Sequence, residues 1–355
     1  MDALEADDLL QLLSSRQARR LRVIENLLRG RRTVSTLFWG QRYRLLYLLD
    51  LGKALTRGGL DGPAQALVDR QLATWEAEEQ PQLRLTPAGV AAQHAAQPFV
   101  PQTAVLWPQL DINAARKRLL LGVQVVSEYQ HQTKRYYPLA TDLATRQLVR
   151  RWFYQSDRQQ LGTALQATLT RSLARLPERV ATVTVAGFTG YQQPGLTNQQ
   201  LAVRWQTTAW QVYLMHIEAV VTIAQAAQVA TDPLSGLLGP LWTVPVTKSA
   251  QATLAAVQAG GTLDQIARQR RIKPSTVREH LLEAAIMLPE AAFPYERLLP
   301  ATTQRTLLAL LPAAIDDWTY TDLAPAVQAK IDFFTFRLLA IWQDKRGDSH
   351  GKSNG

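Results

Sequence analysis

The chain has 355 residues, 39 Lys and Arg against 29 Asp and Glu, a formal charge of +10, 46% apolar residues and no cysteine. That length fits two or three domains of about 100–200 residues with ample cores, and the missing thiols exclude disulfide scaffolds, thiolate zinc sites, iron–sulfur clusters and cysteine nucleophiles. The basic excess is 31 Arg to 8 Lys, and planar guanidinium forks match phosphate oxygens, so a polyanion is favoured as partner.

Apolar residues recur three and four apart through nearly the whole chain, which predicts a mainly α fold built from several helix-turn-helix units. The acidic start, Met1 to Asp8, lacks the basic flank and apolar run of a secretory leader, so a cytoplasmic location is expected. Turn residues divide the chain into an N-terminal domain over 1–98, a helical middle domain over 99–249, a C-terminal domain over 250–344 and a polar tail over 345–355 expected to be disordered.

Nine arginines and one acid, Glu25, lie between Arg16 and Arg44. Leu21, Val23, Ile24, Leu27 and Leu28 give this stretch an apolar side, Gly30 to Arg32 form a turn, and Thr33 is the expected N-cap of the next helix. Arg29, Arg31 and Arg32, at that turn, are candidate phosphate ligands, against the plainer reading of arginines solubilising an interaction helix. Leu83 to Leu85 then predict a short strand running into a helix capped by Thr86 with Pro87 at its first position. A strand near residues 82–86 after a helix pair suggests a small winged-helix β element.

In the middle domain, Thr197 and Gln200 form a capping box ahead of a helix-turn-helix-like segment over 197–222. Its second helix, with Trp210, Val212, Ile217 and Val221, is poor in positive charge and is expected to be buried or partner-facing. The stretch from Val212 to Ala230 is apolar but carries His216, Glu218, Gln225 and Gln228, too many polar groups for a bilayer span of roughly 20 residues. Arg116 to Arg118, Lys134-Arg135, Arg146, Arg150 and Arg151 would extend a basic track or form an ordinary solvated face.

The C-terminal domain holds the most specific pattern. Thr262 and Gln265 make a second capping box, Leu263, Ile266 and Ala267 share a face, Ile272 lies in a turn, and Pro274 restarts a helix carrying Val277, Leu281, Ala284 and Leu288. Around this turn cluster Arg268, Arg270, Arg271, Lys273 and Arg278, with Ser275 and Thr276 near a helix N-terminus suited to anions. Lys273, at the expected N-cap, has no side-chain acceptor and is free to reach a phosphate. Leu282 and Ile286 fall on the outward side of the second helix and should pack against the rest of the unit or a partner protein, partner contact being the assignment, while Glu279 and Glu283 would repel phosphates. Sequence-independent backbone contact is therefore expected, not base reading. Phe333, Phe334, Phe336, Leu338, Leu339 and Ile341 read as core.

Gly260 to Leu281, with Thr253-Leu254, Leu298-Leu299, Thr319-Tyr320 and Phe336 to Ala340, resembles the helix-turn-helix module at the C-terminus of many RecQ-type DNA helicases. A stand-alone chain with extra helices in front is similar to a Firmicute protein family often encoded beside such a helicase. The resemblance implies a DNA-binding accessory protein with DNA and a separate RecQ-like helicase as partners, acting in DNA repair or recombination.

No phosphate-binding glycine loop ending in Lys-Ser/Thr, no dinucleotide fingerprint and no nucleophile elbow is present. The five histidines lack paired metal spacing. His131, Lys134, Tyr136 and Tyr137 are faintly similar to the histidine, basic residue and tyrosine of strand-transfer recombinases, but the tyrosines are adjacent and the arginine cluster is missing. A non-enzymatic role with no cofactor, metal, membrane or small-molecule substrate is expected. A transcription regulator reading an operator, and a protein-interaction scaffold that binds no DNA, are the alternatives.

Overall fold

The computed structural model describes residues 4–76 and 81–351. In chain order come α1 (Ala6–Leu10), β1 (Arg19–Arg20), α2 (Leu21–Leu28), α3 (Val34–Arg42), α4 (Asp61–Asp69), β2 (Ala73–Glu76), β3 (Gln82–Leu85) and α5 (Pro87–Ala95). There follow α6 (Ile112–Gln130), α7 (Leu143–Gln155), α8 (Arg158–Leu173), α9 (Glu178–Ala186), α10 (Asn198–Arg204), α11 (Ala209–Ala226) and α12 (Ser235–Leu238). The last group is α13 (Lys248–Gln258), α14 (Leu263–Arg270), α15 (Pro274–Met287), α16 (Tyr295–Leu298), α17 (Ala301–Leu310), α18 (Pro325–Gln328) and α19 (Phe333–Gly351). The chain is mainly α, as the spacing of apolar residues predicts.

Three helix pairs share a turn that also joins α13 to α14 at Gly260 (φ 105°). After α2, α10 and α14 a residue takes left-handed backbone: Gly30 (φ 74°), Gln206 (φ 48°) and Arg271 (φ 54°). In each, that residue's N–H bonds the carbonyl three back (Leu27, Val203, Arg268), and the next N–H reaches five back (Asn26, Ala202, Ala267). This double bond pattern satisfies the last carbonyls of the first helix and reverses the chain. The second helices start on Thr33, Thr208 and Lys273; the two threonine hydroxyls accept from Thr36 and Gln211 N–H, and Lys273 makes no side-chain cap. Both capping boxes expected from sequence, Thr197/Gln200 and Thr262/Gln265, form.

The chain folds as two compact units, Met1–Leu21 with Ala54–Thr243, and Arg22–Lys53 with Val244–Gly355. These differ from the division expected at residues 98, 249 and 344. Turn residues mark where the chain reverses, whereas a unit is set by which apolar faces cover one another.

In the first unit, α11 is surrounded by α6, α8, α9 and α10, and every residue from Trp210 to Ala224 is buried. A helix apolar on all sides belongs inside, so the second helix of the middle pair is buried by its own chain. Its Glu218, 0% exposed, accepts from the N–H of Gln102 and Thr103 and from the Thr103 hydroxyl (3.1, 2.9 and 3.0 Å), which satisfies a buried charge. A small antiparallel sheet of order β1-β3-β2 pairs Arg19 with Leu83 and Trp75 with Leu83. Leu83 and Leu85 face inward and Arg84 bonds Glu76. β3 is the strand expected near 82–86, and Thr86 caps α5 through Gly89 N–H with Pro87 first in the helix.

In the second unit, α15 packs on α13, α14, α3 and α19. Leu281 to Ile286 are all buried. The expected core of α19 holds for Phe334, Phe336, Leu338, Leu339 and Ile341, but Phe333 is 46% exposed and lies under the Arg337 guanidinium. The tail expected from residue 345 is corrected: α19 continues through Gly351, because Asp344 and Lys345 are tied inward. The half-buried Lys345 side chain donates to the Leu288 carbonyl, and desolvation pulls its pKa down to about 8. Residues 352–355 lie outside the described residues. Among the described residues no helix is long and apolar enough to cross a membrane.

Candidate nucleic-acid interface

The α14–α15 pair presents its turn outward. Arg268, Arg271, Lys273 and Ser275 are exposed, Thr276 is half-buried, and none of the five side chains has a hydrogen bond or ion pair among the described residues. α15 is 14 residues long and begins with Pro274. Its first N–H groups point out of the helix without a side-chain cap, which is the arrangement that accepts a phosphate oxygen. Three cations and two hydroxyls thus surround one anion-ready helix end.

The other expected contacts are used internally. Arg270 donates to the Ser249 carbonyl (2.8 Å) and hydroxyl (3.0 Å) and to the Thr253 hydroxyl. That hydroxyl also lies 2.9 Å from His280 Nδ1. Burial, then the Arg270 charge, hold the His280 pKa below its ordinary value, against the opposite pull of Glu283 and Glu279. Arg278 pairs with Asp332 at 3.2 Å. Arg32 donates to Glu283 (3.0 Å) and to the Pro245 carbonyl, and Arg29 sits 3.4 Å from buried Glu25. Of the three arginines proposed at the first turn, Arg31 alone is exposed and without a partner among the described residues.

Leu282 and Ile286, assigned to partner contact, are 4% and 3% exposed and covered within their own unit. α15 packs on α3 and α19 as well as on α13 and α14, so a side expected to face outward is covered. Glu283 is likewise no repellent surface charge: it is buried and accepts from Arg32, the Thr247 N–H (2.9 Å) and the Thr247 hydroxyl (2.9 Å). Accessible residues of α15 are therefore concentrated in its first two turns, up to His280. Sequence reasoning missed Arg297, exposed and donating to the Gly261 carbonyl at 3.3 Å just before α14; it lies in the four-residue α16 between Pro294 and Pro300, too short for a periodic signal.

Arg271 occupies a backbone region where an L side chain costs about 1–2 kcal/mol. Glycine, which carries no such cost, is absent from this turn. Arg271→Gly is expected to raise the unfolding free energy by about 0.5–1 kcal/mol, the relief being partly offset by the freer unfolded chain. It should also weaken retention on duplex DNA; urea titration and a binding isotherm on the same preparation check both.

His131 stacks on Tyr191, ring centroids 4.3 Å apart, and Tyr137 is fully exposed. No group of three or more metal-ligating side chains occurs among the described residues.

A family model described as a helix-turn-helix domain matches residues 249–340. Protein YpbB of Bacillus subtilis (strain 168) is 29% identical over 180 residues, 50% of this chain and 51% of that protein. The chain thus spans about half the length of the curated relative it matches. No solved structure matches. Fold and comparison agree that residues 249–340 are a helix-turn-helix domain.

Proposed function

We propose that this chain is a non-enzymatic DNA-binding accessory protein that grips the sugar-phosphate backbone without reading sequence and assists a separate RecQ-like helicase in the cytoplasm. The observation that carries the reading is the unpaired set Arg268, Arg271 and Lys273 at the exposed turn of the helix-turn-helix domain. Their guanidinium and ammonium groups displace condensed counterions, and Ser275, Thr276 and the α15 N–H groups orient one phosphate. Arg31 supplies a further cation at the α2–α3 turn. Burial of Leu281 to Ile286 leaves about the first two turns of α15 open to a major groove, which favours backbone contact over an operator reader. The helicase partnership rests on the sequence resemblance, as do the roles in repair and recombination.

Binding of a random duplex, followed by fluorescence anisotropy across a salt series, tests the DNA contact. Each phosphate contact contributes about 0.9 to the slope of log K against log salt. Arg268→Ala/Arg271→Ala/Lys273→Ala should therefore flatten the slope by about 2.7, with circular dichroism unchanged and similar affinity for unrelated duplexes. An unchanged slope in a folded variant removes the assigned interface. Addition of the purified chain to a purified RecQ-type helicase, with unwinding measured, tests the partnership separately.

A further inference from the structure

The first unit contains a cavity of about 390 Å³ whose lining includes Arg116 and Leu120 from α6, Thr184 from α9, Phe188 and, from α11, His216 and Val220. Thr197, Asn198 and Gln199 also line it and have partners of their own, whereas two buried polar side chains of the lining do not. His216 is 8% exposed and has no hydrogen-bond partner among the described residues. Thr184, 3% exposed, carries a buried hydroxyl without a partner. Arg116 lies over the Tyr213 ring at 5.6 Å and pairs with no carboxylate among the described residues. Arg116 and His216 are the titratable side chains of the lining.

Buried polar groups are normally hydrogen-bonded, and the half-buried Arg116 places a cation beside the two that are not. A guanidinium and a hydroxyl both donate, as does one nitrogen of a neutral imidazole, while Leu120, Phe188, Leu196 and Val220 give the wall an apolar part beside the polar Thr197, Asn198 and Gln199. We propose that this cavity binds a small organic oxyanion, a carboxylate or a phosphate monoester on an apolar body, held by Arg116, Thr184 and His216.

The imidazole should report the ligand. Burial, then the Arg116 charge, hold His216 down at about 4. Glu218, two residues along, is turned to Gln102 and Thr103. An oxyanion at Arg116 cancels the repulsion and favours the protonated ring, so the His216 midpoint rises on binding and affinity increases toward acid pH.

The full chain titrated with benzoate and, separately, with phenyl phosphate tests this by calorimetry and by the His216 Cε1–H resonance. Saturation by either probe at one site, with the His216 midpoint raised by about one unit, supports the proposal, and the probe that binds identifies the oxyanion class. Arg116→Gln and Thr184→Val should each weaken binding roughly tenfold, as loss of one hydrogen bond to a charged group does. Thr184→Val removes an unpaired hydroxyl at constant shape, so it should fold as well as the parent. Failure of both probes at millimolar concentration, or binding that survives both substitutions, overturns it.

Discussion

Asp344→Ala should lower the unfolding free energy of the unit containing residues 22–53 and 244–355 by about 3–5 kcal/mol, the usual cost of removing one partner from a buried ion pair. Asp344 is 2% exposed. Its carboxylate accepts from Arg42, from both terminal nitrogens of Arg44 (3.0 and 3.2 Å) and from Gln41 Nε2 (2.7 Å). Alanine leaves a largely buried guanidinium with only Asp316 and a buried amide with only the Ile341 carbonyl. Asp344→Asn retains one acceptor and should cost less. Urea unfolding measures the total, and hydrogen exchange at α3 and α19 should show protection lost there first. A change under about 1 kcal/mol would show the network to be dispensable.

Glu283→Ala should cost a similar amount, about 3–5 kcal/mol, through different partners. It strands the Arg32 guanidinium and leaves the Thr247 N–H and hydroxyl without their acceptors. Arg32→Met in the same background should recover part of the loss, because the stranded charge goes with it, whereas Arg32→Met alone leaves Glu283 with Thr247. A double-mutant cycle on unfolding free energies reads the coupling directly. Additive single effects would place the stabilisation in the Thr247 bonds instead.

Local chemistry made much of the fold legible. Thr197 with Gln200, Thr262 with Gln265, Pro87 and Pro274 mark helix starts by mechanisms that act within four residues, and each forms as expected. That Arg268, Arg271 and Lys273 lie exposed around a helix-turn-helix turn followed from the same local chemistry, and they have no side-chain partner among the described residues. The partnerships of Arg32 and Arg42 were not, because the acids that hold them lie 251 and 302 residues away. Charge count alone cannot tell a guanidinium waiting for phosphate from one already neutralised. The hint that survived in sequence was apolar: Leu282 and Ile286, on a helix side that should have faced water, needed a cover, and that cover comes in part from α3.

The discontinuity of the second unit sets a timetable for synthesis. Residues 22–53 leave the ribosome about 190 residues before Val244, where the rest of their unit begins. At roughly 5–20 residues per second that is a delay of about 10–40 s. For that interval the nascent helix pair has its apolar side in water and its arginines without Asp344 or Glu283, a window for a holding chaperone. Arg32, Arg42 and Arg44 thus emerge well ahead of the acids that pair with them.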